Sequence, residues 1–194
     1  MDTKLGSVVA FLTEIERLKL VTRAAYVSDL SRHENSAEHS WHLALGLLTM
    51  ARELNLEIDL SKALLMALVH DICEVDTGDI SIYDPARSEK AAPERRCIDR
   101  LAGYGLKFGL ELRELWLEYE EQETRESRWV RVMDRLMPFI VNLATQGQTW
   151  RDQAVARSQV LLISEPIRQQ APELFAWLVQ QAEECVVKGW LRDA

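Results

Sequence analysis

The sequence predicts an all-α fold, a single-domain multi-helix bundle whose helices cross at steep, near-orthogonal angles. Three observations predict it. Helix formers such as Leu, Ala, Glu and Arg dominate, while the 194 residues include only 8 Gly and 5 Pro. Apolar residues recur at three- and four-residue spacing from end to end. The strict apolar/polar alternation of half-buried strands is nearly missing. A chain of this length can enclose one substantial core. No repeat, low-complexity tract or Pro/Gly/Ser linker divides it, so residues 1–194 are expected to form one unit.

The elements follow in order. Residues 7–20 make an amphipathic helix through Val8, Leu12, Ile15 and Leu18. Residues 22–35 are polar and read as a connection. Asn35 or Ser36 is a good N-cap, with Glu38 in the first turn of a second helix that reaches about residue 54. A third covers residues 60–73. Thr77-Gly78-Asp79 and Asp84-Pro85 then signal loops. Further helices are expected at 88–102, 110–121, 125–145, 150–163 and 172–188. Pro138 falls inside the one at 125–145 and should kink it.

Charge and cysteine usage exclude some classes of partner. A formal charge of −8 disfavours nucleic-acid polymers and acidic membrane surfaces. Cys73, Cys97 and Cys185 are widely spaced and odd in number, which fits small thiols in a reducing compartment. The segment Met1-Asp2-Thr3-Lys4 carries no leader pattern. The longest strictly apolar run, residues 63–69, is far too short to span a bilayer. A cytoplasmic protein is the expectation.

The informative residues are polar ones on faces that should be buried. The run from Ala63 to Val69 has no polar side, which predicts enclosure by protein, yet His70 and Asp71 follow at once. On the second helix the polar side runs through Glu38, His42, Thr49, Arg52 and Glu53. His39 instead heads the row Leu43, Leu47, Met50 and Leu54, so His39 points inward and His42 outward. At 125–145 the inward row is Val130, Asp134, Met137 and Val141, with Arg128, Arg131 and Arg135 opposite. A buried carboxylate needs a partner of opposite charge. Asp134 has a plain candidate in Arg131, one turn away. The alternative is convergence: two imidazoles and two carboxylates from three helices, a set that suits Mn, Fe, Co or Zn.

These residues resemble the H…HD…D pattern of the HD-domain superfamily of metal-dependent phosphohydrolases, in His39, His70-Asp71 and Asp134. Arg17-Leu18-Lys19-Leu20-Val21-Thr22-Arg23, Asn35-Ser36-Ala37-Glu38-His39-Ser40 and the block from His70 to Ile80 are similar to its 5′-deoxynucleotidase branch. The similar region covers about residues 10–145, with the C-terminal helices packing on it. The resemblance implies one divalent ion held by His39, His70, Asp71 and Asp134. It implies hydrolysis of a (deoxy)nucleoside 5′-monophosphate, with Arg23 orienting the phosphate. Glu74 and Asp79 are implied close to substrate, as acid/base groups and contacts or, with the Ile80 carbonyl, as ligands of a second ion such as Mg. It also implies a homodimer, for which the helix bearing Phe175, Trp177 and Leu178 is a candidate contact. Two positions depart from the branch: Ala24 stands where some members carry Trp, with Tyr26 two residues on, and Ile80-Ser81-Ile82 lacks a Thr found in some relatives. His33 and His42 read as solvated. The alternatives are another HD phosphohydrolase, acting on a triphosphate, cyclic or signalling nucleotide, and a non-catalytic binding module stabilised by its metal.

Overall fold

A computed structural model describes residues 3–194 of the chain; Met1 and Asp2, half of the segment expected to carry no leader, lie outside the described residues. The helices are α1 (Thr3–Glu16), α2 (Ser36–Glu53), α3 (Leu60–Val69), α4 (Glu74–Thr77), α5 (Ala91–Ala102) and α6 (Lys107–Glu121). They continue with α7 (Arg125–Ala144), α8 (Gln148–Asp152), α9 (Arg157–Ile163), α10 (Glu165–Gln170) and α11 (Pro172–Val187). Single 3-10 turns occupy Arg17–Leu20 and Pro85–Glu89. No helix among the described residues is long and apolar enough to cross a membrane.

The centre of the bundle is α2, α3 and α7 packed on one another, with α6 laid against α3 and α7. Leu43, Leu47, Met66, Val130 and Met133 meet there, each at most 1% exposed. The start of α2 is fixed locally. Asn35 accepts a hydrogen bond from the Glu38 amide while Glu38 accepts one from the Asn35 amide, a reciprocal cap that pins the turn carrying His39. Further along α2, a Cβ on Gly46 would come within 2.9 Å of Met133 Cε and 3.1 Å of Met137 Sδ. The missing side chain lets α7 lie close against α2. That crossing sets the distance between His39, on the same face of α2, and Asp134, the neighbour of Met133.

Several expected boundaries shift. The polar stretch 22–35 is not a plain connection: β1 (Thr22–Tyr26) and β2 (His33–Asn35) pair antiparallel, Thr22 opposite Asn35 and Tyr26 opposite His33. Backbone pairing rather than an apolar face makes this hairpin, so periodicity is blind to it. The third helix stops at Val69, and His70 to Cys73 form turns before α4. Nor is α3 enclosed on every side: Leu65 is 36% and Leu68 50% exposed, because the helix has neighbours on only part of its surface. The helix expected at 150–163 divides at Ala154, whose φ of 51° turns the chain. There Val155 and Arg157 bond to Arg192 near the C-terminus, so tertiary pairing overrides local propensity. Helix α7 is continuous through Pro138. Cys73, Cys97 and Cys185 are buried free thiols.

Gly147 enters α8 with φ 72°, and a Cβ there would meet the Trp190 carbonyl oxygen at 2.6 Å. Gly147→Ala is therefore expected to cost about 2 kcal/mol or more, combining backbone strain with a clash against main chain. A denaturant titration checks this through a lowered midpoint at unchanged slope. An unaltered midpoint would contradict the close approach.

Candidate metal centre

Three elements deliver the inward polar residues to one point. His39 comes from the first turn of α2, His70 and Asp71 from the turn that ends α3, and Asp134 from the middle of α7. His39 Nε2 lies 3.2 Å from Asp134 Oδ1 and 3.9 Å from Asp71 Oδ2. His70 Nε2 lies 3.2 Å from Asp71 Oδ2 and 3.7 Å from Asp134 Oδ1. One ligand atom from each of the four falls within 4.8 Å of every other, a spacing at which one metal ion can be held. His42, by contrast, stays half-exposed on the outer side of α2.

Whether these residues suit a metal is decided by what surrounds them. His70 Nδ1 donates to the Ala67 carbonyl at 2.8 Å, which fixes the proton there and leaves Nε2 as the free donor atom. That Nε2 is buried and faces Asp71 Oδ2 at 3.2 Å, yet makes no well-aligned hydrogen bond among the described residues. A buried imidazole nitrogen without a partner is costly, and a cation between it and the facing carboxylates removes the cost. Asp134 Oδ2 accepts from Tyr119 Oη at 2.9 Å and Arg135 Nη1 at 2.7 Å, so Oδ1 is the oxygen turned to the cluster. The mixed nitrogen and oxygen donor set fits Mn, Fe, Co or Zn without choosing among them.

The charges are arranged to hold a proton where a metal would sit. Burial works against a charged His70, but Asp71 and Asp134 outweigh it and hold the imidazole up to about 10. His39 goes the other way, down to about 4, through burial and the nearby Arg23 guanidinium. Both aspartates stay ionised despite burial, Asp71 through His70 and Asp134 chiefly through Arg135. A raised imidazole binds its proton at neutral pH, so a metal must displace that proton to reach Nε2. Metal affinity of the metal-free protein is therefore expected to fall as pH falls, with about one proton released per ion. Calorimetry in buffers of different ionisation enthalpy reads this directly; binding with no proton release would contradict it.

Arg23, on β1, is the next layer. Its Nε donates to Glu34 Oε1 at 3.2 Å, and Nη1 donates to Asp71 Oδ2 at 3.1 Å and Asp79 Oδ1 at 3.2 Å. Burial opposes the charge, but Asp71 and Asp79 hold the guanidinium firmly protonated. Glu74, on α4, accepts from Ser36 Oγ at 2.5 Å and Lys90 Nζ at 3.2 Å. Burial first, then Asp71, pushes its carboxyl up to about 8. The Ile80 carbonyl accepts from Arg87 Nη1 at 3.0 Å. So Arg23, Glu74 and Asp79 do gather beside the four ligand candidates, at the rim of a cleft of about 740 Å³ counting its open mouth. Ala24 and the segment from Ile80 to Ile82 line the same cleft. Tyr26 instead stacks on His33 with ring centroids 4.1 Å apart and donates to Asp152.

Five site residues escaped the sequence: Glu34, Ser36, Lys90, Tyr119 and Arg135. Arg135 was placed on the face opposite Asp134, yet its side chain is only 11% exposed and pairs with Asp134 at 2.7 Å. Arg131, the expected partner, lies over the Tyr119 ring at 4.4 Å. Tyr119 had a detectable signal, since it sits on the inward row of α6 with Leu112, Leu115 and Trp116. Glu34 and Lys90 lie in unpatterned polar stretches and had none.

Comparison with known proteins agrees with this geometry. Residues 15–175 match the HD domain family. The chain is 31% identical over 135 residues to the 5′-deoxynucleotidase HDDC2 of Xenopus laevis, a match covering 66% of this chain and 64% of the frog protein. It is 26% identical to the 5′-deoxynucleotidase hdd1 of Schizosaccharomyces pombe, over 96% of this chain and 88% of that protein. A crystal structure of a predicted metal-dependent phosphohydrolase from Magnetospirillum magnetotacticum superposes with a TM-score of 0.89 at 34% identity, covering 98% of this chain and 99% of that one. By the reach of the family match and the closeness of that superposition, the chain belongs to the HD domain family.

Proposed function

We propose that this protein is a metal-dependent phosphohydrolase that cleaves nucleoside 5′-monophosphates, deoxy forms preferred, to nucleoside and inorganic phosphate. The observation that carries the reading is the meeting of a four-donor cluster with the Arg23 guanidinium at one oxygen, Asp71 Oδ2. The relatives named as 5′-deoxynucleotidases support the substrate class. In the reaction a water oxygen bonds to phosphorus, the bond from phosphorus to the 5′ oxygen breaks, and that oxygen takes up a proton. His39, His70, Asp71 and Asp134 would hold a divalent ion, which when bound would lower the pKa of water and polarise a phosphoryl oxygen.

The chain's own residues supply the rest. Arg23 keeps Nη2 clear of the carboxylates that hold Nε and Nη1, and that nitrogen donates to a phosphate oxygen while the guanidinium charge offsets the acidic surroundings. Asp79 and Glu34 hold that guanidinium in place. Glu74 lines the cleft, Ser36 and Lys90 fix its orientation, and burial raises its carboxyl, which suits an acid/base group for the leaving oxygen. A second ion such as Mg on Glu74, Asp79 and the Ile80 carbonyl would require Lys90 and Arg87 to withdraw, since both now occupy those oxygens. A binding module needs no buried Arg23, Glu74 and Asp79 around its metal, which favours the enzyme.

The reading includes a cytoplasmic, single-domain protein that pairs as a homodimer. Leu178 is fully buried and contributes nothing to such a contact, whereas Trp177 is 39% exposed on α11. Phosphate release from a panel of ribo- and deoxynucleoside 5′-monophosphates, set against triphosphates and cyclic nucleotides, tests the activity. Turnover confined to monophosphates is expected; turnover of triphosphates or cyclic nucleotides alone would replace this reading with another HD activity.

A further inference from the structure

The cleft is also lined by residues that the hydrolysis does not use. Among them Thr149, at the start of α8, is 6% exposed, and its Oγ1 is buried without a hydrogen-bond partner among the described residues. Other helical threonines here return their hydroxyl to a carbonyl one turn back, Thr13 to Val9 at 2.9 Å and Thr49 to Leu45 at 2.9 Å. Thr149 has no such turn behind it, because α8 begins one residue earlier. A buried hydroxyl left unpaired is expensive, so one on a residue that lines a cleft points to a ligand.

Its neighbours narrow the chemistry. The Asn142 amide is already used at both ends, donating to the Pro138 carbonyl and accepting from the Trp150 amide. Gln153 spends only its Oε1, which accepts from Ser81 Oγ at 2.6 Å, and its amide nitrogen has no partner among the described residues. Tyr83, Phe139 and Ile163 add largely apolar surface to the same cleft. A group that fits is flat and heteroaromatic, with an edge offering both acceptors and donors. Arg87 and Arg135 also line the cleft, but they are engaged by the Ile80 carbonyl and by Asp134, so a second phosphate is a poor match.

We propose that Thr149 and Gln153 form the subsite that reads the base of the nucleotide, which makes them the specificity-determining residues of the reaction. The inference rests on the nucleotide reading above and adds which residues choose the base. The same wall carries Asp79: Ser81 bonds to Gln153, and Trp150 Nε1 donates to Tyr83 Oη at 3.3 Å, so α8 is tied to the loop that follows the phosphate end. Base recognition and phosphate placement thus share one packed segment.

The test compares the metal-loaded protein with its Thr149→Val and Thr149→Ser variants on a panel of deoxynucleoside 5′-monophosphates and on 2-deoxyribose 5-phosphate, which lacks a base. Thr149→Val keeps the shape and removes the hydroxyl. It is expected to lower kcat/KM about tenfold for the preferred nucleotides, through KM, the effect of one lost hydrogen bond. Thr149→Ser restores most of it, and the base-free substrate is unaffected by either change. An equal loss on 2-deoxyribose 5-phosphate, or no loss on any nucleotide, overturns the proposal, the second result meaning that Thr149 holds only water. If no phosphate is released from any compound, the phosphohydrolase reading fails on its own. Calorimetric binding of the free nucleosides then decides the subsite: binding weakened by Thr149→Val supports it, and no binding by the parent overturns it.

Discussion

An Asp71→Ala variant is expected to lose metal-dependent phosphate release by well over ~100-fold, since even residues that only orient metal ligands cost 10- to 100-fold when removed. Asp71 is the member that joins the cluster to Arg23. Its Oδ2 faces His70 at 3.2 Å, His39 at 3.9 Å and Arg23 at 3.1 Å, so truncation removes a ligand candidate and releases the arginine together. Without this carboxylate His70 also loses the partner that most favours its proton, and its pKa moves back down. Metal content by elemental analysis should fall with activity. A variant that still binds a full complement of metal and still turns over would remove Asp71 from the site.

Arg23→Ala is expected to be nearly as severe for activity and worse for stability. The guanidinium is only 13% exposed and serves Glu34, Asp71 and Asp79 at once. Removing it strands three largely buried carboxylates, at a cost of about 3 kcal/mol or more, because an uncompensated buried charge is the expensive outcome of breaking such a network. The metal, when bound, relieves Asp71 but not Glu34 or Asp79, so part of the destabilisation persists in the loaded protein. Loss of one fixed cation facing a phosphoryl group lowers kcat/KM on the order of 10²- to 10³-fold. Arg23→Lys returns the charge without the fork and should recover stability better than activity. Thermal unfolding and steady-state kinetics on both variants check this. Near-parental kinetics in Arg23→Lys would show that geometry at this position is immaterial.

The parts of the site that were legible are those where helical periodicity does the work. His39 and His42 differ by less than a helical turn, yet their rows differ, and the fold buries the first at 1% exposure while leaving the second half-exposed. Asp134 interrupts an apolar stripe on α7 in the same readable way, and the Asn35–Glu38 cap could be seen from residue types alone. What was not legible depends on tertiary meetings. Arg135 follows Asp134 directly, so a helical projection points it elsewhere, but a long side chain bends back along the surface and reaches its neighbour. Lys90 meets Glu74 only because the 3-10 turn Pro85–Glu89 brings it over α4. The hairpin that presents Arg23 and Glu34 has no apolar face to announce it. The all-apolar run in α3 misled in the opposite direction, since Leu65 and Leu68 remain at the surface.

The central claim is that one ion held by His39, His70, Asp71 and Asp134 makes this protein a phosphohydrolase of nucleoside monophosphates. The most direct measurement strips the protein of metal and titrates Mn, Co, Zn and Mg back separately while following phosphate release from deoxynucleoside 5′-monophosphates. The account predicts no release without metal and a rise in release that saturates as the cluster fills, at about one ion per chain. Release that survives complete metal removal, or a filled site with no release from any monophosphate, would contradict it.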